Sequence, residues 1–320
     1  MSTKTHDQEA ADSTMMCCAS CGKAEVDDVK LRKCTACKLV KYCSVDCQKN
    51  HRPQHKKACK KRAAEIRDDK LFKQPDESHL GECPICCLPL PLDATKWTVN
   101  TCCFKRICDG CDHANDSRIE EEGLEYRCVF CRELVPDSPE EREQYRMKRV
   151  NANDPAALFK MGIICYREGD YEGTFKYYTK AAKFGDMMAH FNLSRMYHEG
   201  DGVKRDMKKY LYHMEEAAIG GHPKARHNLG CYEKDKKRAV KHFIIASNLG
   251  DDNALERVKE GFHLGLVSKE DFEAALRGHQ AAVDATKSQQ REAAEKARQE
   301  GLLGRSTLGG VMTQRGTILE

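Results

Sequence analysis

Residues 18–59 read CASCGKAEVDDVKLRKCTACKLVKYCSVDCQKNHRPQHKKAC, and eight side chains in this stretch recur with fixed spacing. Cys18 and Cys21 are separated by two residues, Cys34 and Cys37 by two, Cys43 and Cys47 by three, and His55 and Cys59 by three. Each pair places two soft donors close enough to share one tetrahedral ion, and four pairs suffice for two closed sets of four. Zinc is the ion that thiolate and imidazole donors in such sets select. A closed set leaves no position for a catalytic water, so metal bound here is expected to hold structure.

The rest of the composition narrows the setting. The chain has 320 residues, room for two or three domains, with 40% hydrophobic and 32% charged residues. A mean hydropathy of -0.71 argues against one large core. No apolar run approaches the roughly 18 residues a membrane span needs. The opening MSTKTHDQEAADSTMM lacks the basic and apolar regions of a secretory signal. The protein is therefore expected to be intracellular, cytoplasmic or nuclear, with no membrane partner. Seventeen of its 19 cysteines lie between Cys17 and Cys131, which in a reducing compartment favours metal over disulfides.

Charge is less informative. Residues 1–60 carry an excess of five basic side chains, concentrated at Arg52, Lys56, Lys57 and Lys60. Seven thiolates around two zinc ions would lower that excess to about +2. The basic residues are thus read as offsetting thiolate charge, and nucleic acid is not the expected partner.

The order of donors in 18–59, with the Tyr42-Cys43-Ser44 and Cys47-Gln48 steps, resembles the MYND zinc finger. The resemblance implies interleaved sites, with Cys18, Cys21, Cys43 and Cys47 on one zinc and Cys34, Cys37, His55 and Cys59 on the other. So short a chain buries too little surface to fold alone. Metal binding of about 10 kcal/mol or more per site would supply the difference. The CxxxC and HxxxC pairs are expected on short helices and the CxxC pairs on tight knuckles. Similar domains bind short proline-containing peptides, which implies a role in protein recognition. Where the family usually carries Trp this chain has Arg52, so part of that apolar groove is altered. Cys17 and His51 are read as ordinary side chains rather than ligands of a third ion.

A second cysteine block follows. Cys83-Pro84-Ile85-Cys86, Cys103, Cys108-Asp109-Gly110-Cys111 and Cys128-Val129-Phe130-Cys131 resemble a RING finger. That resemblance implies one complete site of Cys83, Cys86, Cys108 and Cys111, and three ligands of a second: Cys103, Cys128 and Cys131. The family's fourth ligand position holds Lys105, whose ammonium cannot bind zinc. The second site is then either Cys102, Cys103, Cys128 and Cys131 or empty, giving one or two zinc ions in this module. Ile85 and Arg132 match positions that RING ligases use to engage a ubiquitin-conjugating enzyme. Val129 replaces the usual Pro, and Trp97 precedes the third ligand rather than following the sixth.

From Asp154 the chain repeats itself. Ala157, Ala189, Ala225 and Ala254 align with Met161, Leu193, Leu229 and Val258 four residues on, one face of a first helix. In a second helix, Phe175, Leu211 and Val240 align, then Tyr178, Met214 and Phe243, then Ala181, Ala217 and Ala246, then Gly185, Gly221 and Gly250. The step from each second-helix Ala to the next unit's Ala is eight residues every time, while lengths within units vary. Constant stacking with variable loops on one side is the pattern of a solenoid. Its AAxxG motif and Leu-Gly step resemble Sel1-like repeats, relatives of the tetratricopeptide repeat, which present a helical surface to partner proteins. Tyr166, Tyr177, Tyr197, Tyr210 and Tyr212 are read as packing or surface residues rather than a base-stacking set. Ser268 and Asp271 form a capping box for a last helix.

The expected architecture is multidomain, small zinc-stabilised modules at the N-terminal end followed by an all-α helix-hairpin repeat solenoid. Its divisions are a disordered leader (1–16), a MYND-type finger (17–60), a linker (61–80), a RING-like finger (81–133) and a connecting helix (134–153). The solenoid (154–280), a charged helix (281–300) and a disordered tail (301–320) complete it. No phosphate loop, catalytic Ser/His/Asp set or open metal site is apparent, and no catalytic residue is assigned. The leading functional reading is a zinc-binding adaptor for other proteins, through peptide motifs at the first finger and a helical surface at the repeats. A RING-type ubiquitin ligase and a nucleic-acid-associated regulator are the alternatives.

Overall fold

The computed structural model describes residues 17–26, 28–136 and 138–301, so the leader and tail expected to be disordered lie outside the described residues, Gly301 excepted. The chain forms two compact units, one through Lys73 and one from Gln74 onward.

The first unit is a short hairpin and one long helix. Strands β1 (Arg32–Lys33) and β2 (Lys41–Tyr42) pair antiparallel, Arg32 opposite Tyr42. Helix α1 (Val45–Leu71) starts at Ser44, whose hydroxyl accepts from the Cys47 amide at 3.1 Å. The CxxxC and HxxxC pairs do not occupy separate short helices as expected. Cys47, His55 and Cys59 all lie on α1, with Cys43 just before its cap. The expected linker is likewise helical through Leu71. Nothing in 61–71 breaks a helix, and its Lys, Arg, Ala and Glu residues favour one. Of the side chains of α1, those of His55, in its N-terminal half, and Leu71, its last residue, are buried.

In the second unit, strands β3 (Trp97–Val99) and β4 (Arg106–Cys108) pair antiparallel and lead directly into α2 (Asp109–Glu122). Leu80, Leu90 and Ile107 fill a small core beside Cys83, Cys108 and Cys111. Helix α3 (Pro139–Asn151) begins at Ser138, whose hydroxyl accepts from the Glu141 amide, with Pro139 in its first turn. Four helix pairs follow: α4 (Pro155–Glu168) with α5 (Tyr171–Lys183), α6 (Met187–Glu199) with α7 (Met207–Ile219), α8 (Pro223–Tyr232) with α9 (Lys236–Ser247), and α10 (Asp252–His263) with α11 (Lys269–Asp284). The charged helix expected over 281–300 begins later, after α11 has ended. A new cap at Ser288 opens α12 (Gln289–Gln299), giving twelve α-helices among the described residues.

Why the eight-residue step is constant is visible in its hydrogen bonds. Gly185, Gly221 and Gly250 all adopt left-handed backbone, with φ of 89°, 81° and 89°. The amide after each glycine donates back to the second-helix Ala: Asp186 to Ala181, His222 to Ala217 and Asp251 to Ala246, at 3.0 to 3.2 Å. This is the Schellman termination. The same three residues then cap the next helix, accepting from Ala189, Ala225 and Ala254. Five residues down and three residues on make eight. The seven aligned alanines, Ala157 through Ala254, have no exposed surface, which lets the helices approach closely.

The Leu-Gly step has a partner in the second helix. A Cβ at Gly162 would lie 2.4 Å from the Tyr178 ring, and one at Gly230 would lie 2.6 Å from Phe243. Ser194 occupies the equivalent slot against Met214. The second-helix register differs from expectation by one residue in two units. Thr174 and Tyr210 are buried there, and Phe175 and Leu211 only partly so, because each buried residue stands four before Tyr178 or Met214 and so shares their helix face. Tyr178 and Tyr197 are buried, while Tyr166 and Tyr212 remain exposed. Phe104 joins the core of the first helix pair, beside Leu158 and Leu193, so the second cysteine block and the solenoid share apolar packing.

Candidate metal centres

Four sets of side chains converge, each with ligand atoms within 4.8 Å of one another: Cys18, Cys21, Cys43, Cys47; Cys34, Cys37, His55, Cys59; Cys83, Cys86, Cys108, Cys111; and Cys102, Cys103, Cys128, Cys131. All sixteen sequence-assigned residues are therefore brought together, in the interleaved grouping of the first two sets. Cys17 and His51 belong to none of these sets. His51 Nδ1 instead meets the Tyr42 hydroxyl at 3.0 Å.

Local backbone explains the convergence. Cys108 and Cys111 sit at the cap and first turn of α2, but in the other four of the five CxxC pairs the residue after the second cysteine turns left-handed and returns its amide to the first cysteine's carbonyl. Gly22 does so to Cys18, Lys38 to Cys34, Cys87 to Cys83 and Arg132 to Cys128, at 2.8 to 3.0 Å. Arg132 is thus placed by knuckle geometry. The same turn forms at Asn100–Phe104, where Phe104 has φ 54° and its amide reaches Asn100 at 2.7 Å. Cys102 and Cys103 are the third and fourth residues of that knuckle, so two adjacent cysteines can face one point. Lys105 leaves the cluster, its ammonium lying 6.0 Å from the Phe130 ring centroid.

The separations suit a tetrahedral ion. Zinc–sulfur bonds of about 2.3 Å put thiolates roughly 3.8 Å apart. Sulfur pairs here stand at 3.5 Å (Cys21, Cys43), 3.8 Å (Cys34, Cys59), 3.7 Å (Cys86, Cys108) and 3.9 Å (Cys103, Cys128). His55 Nε2 is 3.2 Å from Cys37 Sγ.

Electrostatics also call for a cation. Burial pushes the Cys18 thiol up, but backbone amides of Cys21, Cys43 and Ser20 outweigh it and bring it to about 6. Cys34 is brought to about 6 against burial by the Cys37 amide and His55. Their neighbours go the other way. Hydrogen bonding with Cys21 and Cys47 raises Cys43 to about 12, and burial with the Cys34 contact raises Cys59 to about 11. In the later clusters contact with Cys108 lowers Cys83 to about 4, while burial raises Cys111 to about 12. The Cys103 and Cys128 contacts drive Cys102 far upward. In each set one thiolate suppresses the next, a conflict that a divalent ion removes by stabilising all of them. The donor chemistry fits zinc.

Beside the second set, Tyr42, Gln48, Arg52, Lys56 and Lys60 line a small depression of about 100 Å³ that reaches Cys34 and Cys59. Arg52, Lys56 and Lys60 follow each other at four-residue intervals along α1, one face of the helix. Among the described residues none of the three is paired with a carboxylate. Arg52 thus puts charge where the sequence comparison expected an apolar wall. A pocket the sequence reading did not anticipate lies under the fourth set, lined by Asn100, Asp112, Asp116, Tyr126 and Arg142 among others. Burial and Asp116 raise the Asp112 carboxyl to about 7. The i, i+4 spacing of the two aspartates was the available signal.

Known proteins match the chain in parts. The MYND finger model matches residues 18–59, and the Sel1 repeat model matches residues 155–186, 188–222 and 223–251. A protein named putative beta-lactamase HcpC from Helicobacter pylori (strain J99 / ATCC 700824) is 36% identical over 56 residues, 18% of this chain. The chain spans 19% of that relative's length. Among solved structures, a protective antigen of uropathogenic Escherichia coli displaying an SLR fold is 22% identical at a TM-score of 0.37, covering 52% of this chain and 37% of its own. A Sel1 repeat protein from Oxalobacter formigenes is 21% identical at a TM-score of 0.39, covering 60% of this chain and 88% of its own. The chain therefore carries a MYND finger, a zinc-binding module, ahead of a helical solenoid with three Sel1 repeats. Between them, residues 83–131 form a pair of four-cysteine clusters. No helix among the described residues is long and apolar enough to cross a membrane.

Proposed function

We propose that this protein is a zinc-dependent adaptor whose first finger grips a short acidic peptide while the repeats hold a second protein. The sixteen clustered side chains would bind four zinc ions, two in the finger and two between Cys83 and Cys131, each closed by four protein donors. Such ions hold loops in place and leave no coordination site for substrate. The observation that supports the peptide reading is the depression walled by Arg52, Lys56 and Lys60, three cations on one helix face next to the aromatic ring of Tyr42. Zinc with three thiolates carries one net negative charge, which offsets one of these cations and leaves two for a ligand. A peptide with carboxylates one helical turn apart matches that row. The solenoid contributes a rigid helical surface, the usual purpose of stacked repeats.

The test is fluorescence anisotropy with zinc-loaded full-length protein and labelled ten-residue peptides, acidic, neutral proline-rich and basic. The acidic peptide should bind with clear salt dependence. Arg52→Glu with Lys56→Glu should weaken it at least tenfold with zinc content unchanged. Equal affinity for all three peptides, or none for any, would remove the proposal.

A further inference from the structure

Helix α12 is distant in sequence from the Cys83, Cys86, Cys108, Cys111 cluster yet is built against it. Arg291, in its first turn, donates through Nη1 to the carbonyls of Pro89 (2.7 Å) and Thr286 (2.8 Å). Through Nη2 it donates to the carbonyl of Leu88 (3.2 Å) and to Cys86 Sγ (3.4 Å). One guanidinium thus ties the knuckle after Cys86 to the loop that starts the helix. Its fork carries enough fixed donors to serve all four acceptors, as a lysine could not.

The backbone fits as closely as the side chain. Gly110 lies in the first turn of α2, between two of the cysteines, and a Cβ there would stand 2.7 Å from the Arg291 amide nitrogen. Further along, Arg298 pairs with Asp109, and Lys96 reaches Glu295 at 3.8 Å. Ala294 and Ala297 face inward and are buried. Eleven residues of such charged sequence make a marginal helix in isolation. Its order comes from this contact.

The cluster needs a cation beyond its metal. Four thiolates and one zinc ion leave two negative charges, and Cys83 and Cys108 have no exposed surface at all. Buried charge without a partner is costly, and donors to ligand atoms orient them and tune the metal. We infer that Arg291 is the positioning residue of this centre: helix α12 supplies the outer donor that holds the Cys86 thiolate, so metal retention and helix docking are one equilibrium. This rests on the zinc reading of the cluster. Coupling of this kind is reciprocal: whatever factor docking adds to zinc affinity, zinc adds to docking.

The test uses full-length zinc-loaded protein. Zinc release to a chromogenic chelator gives a rate for each ion, and hydrogen exchange reports protection of 289–299. Arg291→Gln should release one of the zinc ions at least tenfold faster, the scale of lost outer-shell support, and should expose 289–299 to exchange. Arg291→Lys should recover part of the slow release. Gly110→Ala, which leaves Arg291 intact but forces the helix outward, should reproduce the fast phase. Wild-type release rates in both Arg291→Gln and Gly110→Ala would overturn the inference. A separate control addresses the premise: if Cys83→Ser leaves the zinc content unchanged, the zinc reading of this cluster fails and the inference with it.

Discussion

The amide of Asp186 donates to the carbonyl oxygen of Ala181 across 3.1 Å, so the residue that ends one helix stands where it can start the next. Its carboxylate then accepts from the Ala189 amide at 2.7 Å. Asp186→Ala keeps the first bond and loses the second. The expected cost is about 1 kcal/mol, as for other lost helix caps. Asp186→Asn retains a capping oxygen and should remain within a few tenths of the parent. Urea unfolding followed by far-UV circular dichroism measures both, and an equal loss in the two variants would show that the cap is not the source.

Gly162 and Tyr178 should behave as a coupled pair. Alanine favours a helix over glycine by about 1 kcal/mol. At position 162, however, its methyl would enter the buried Tyr178 ring at 2.4 Å. Overpacking of this kind costs about 1 to 3 kcal/mol, so Gly162→Ala is expected to destabilise. In the next repeat Ser194 sits against Met214. Tyr178→Met should therefore relieve the clash, and the double mutant should be more stable than the sum of the single changes predicts. Strict additivity in the cycle would count against direct packing.

Legibility in the sequence followed the range of the interaction. Cysteine pairs declare themselves because a knuckle is local: Cys34 and Cys37 need only one turn, closed at Lys38. The eight-residue step was equally readable, since Ala181, Gly185 and Asp186 fix it among near neighbours. Continuity of α1 was not, because ligand spacing says where one turn lies and nothing of where a helix ends; the Lys- and Ala-rich stretch to Leu71 decided that. The role of Gly110 could not be read at all. Its meaning depends on a backbone about 180 positions away, and no local pattern encodes that contact. Cys102 lay between: the missing donor at Lys105 pointed to it, but the Asn100–Phe104 turn was needed to make adjacent cysteines compatible with one ion.

Zinc content tests that substitution of donors. The wild type is expected to hold four zinc ions per chain, measured by elemental analysis after gel filtration. Cys102→Ser should hold three. Lys105→His in the wild type should add none, since Lys105 points toward Phe130. Three ions in both wild type and Cys102→Ser would mean that the fourth cluster is not filled through Cys102.

Two buried imidazoles should make the second unit acid-sensitive. His79 stacks on His222 at a centroid distance of 4.1 Å, and Phe191 covers the other side of His222 at 4.4 Å. Burial pushes the His79 ring down to about 3, reinforced by the charge of Arg106 and opposed by the Gly221 backbone. Burial, His79 and Lys224 push His222 well below its ordinary value. In the unfolded chain both titrate near 6.5. Below that pH the unfolded state takes up protons that the folded state refuses, so the stabilisation is complete above 6.5 and is lost as pH falls toward 3. Each ring contributes a slope approaching roughly 1.4 kcal/mol per pH unit. Acid also strips zinc from thiolates, so the informative quantity is a difference between variants. His222 accepts from the Ala225 amide at 3.2 Å, and His222→Asn keeps an oxygen for that bond while removing the proton site. Urea unfolding at pH 7 and pH 5 should show a smaller acid loss in His222→Asn than in the parent, by the share of one ring, with the same zinc release. Burial also lowers His190, His213 and His227, whose shares remain in both proteins. An unchanged difference between the two pH values would show that this stacked pair does not set the acid response.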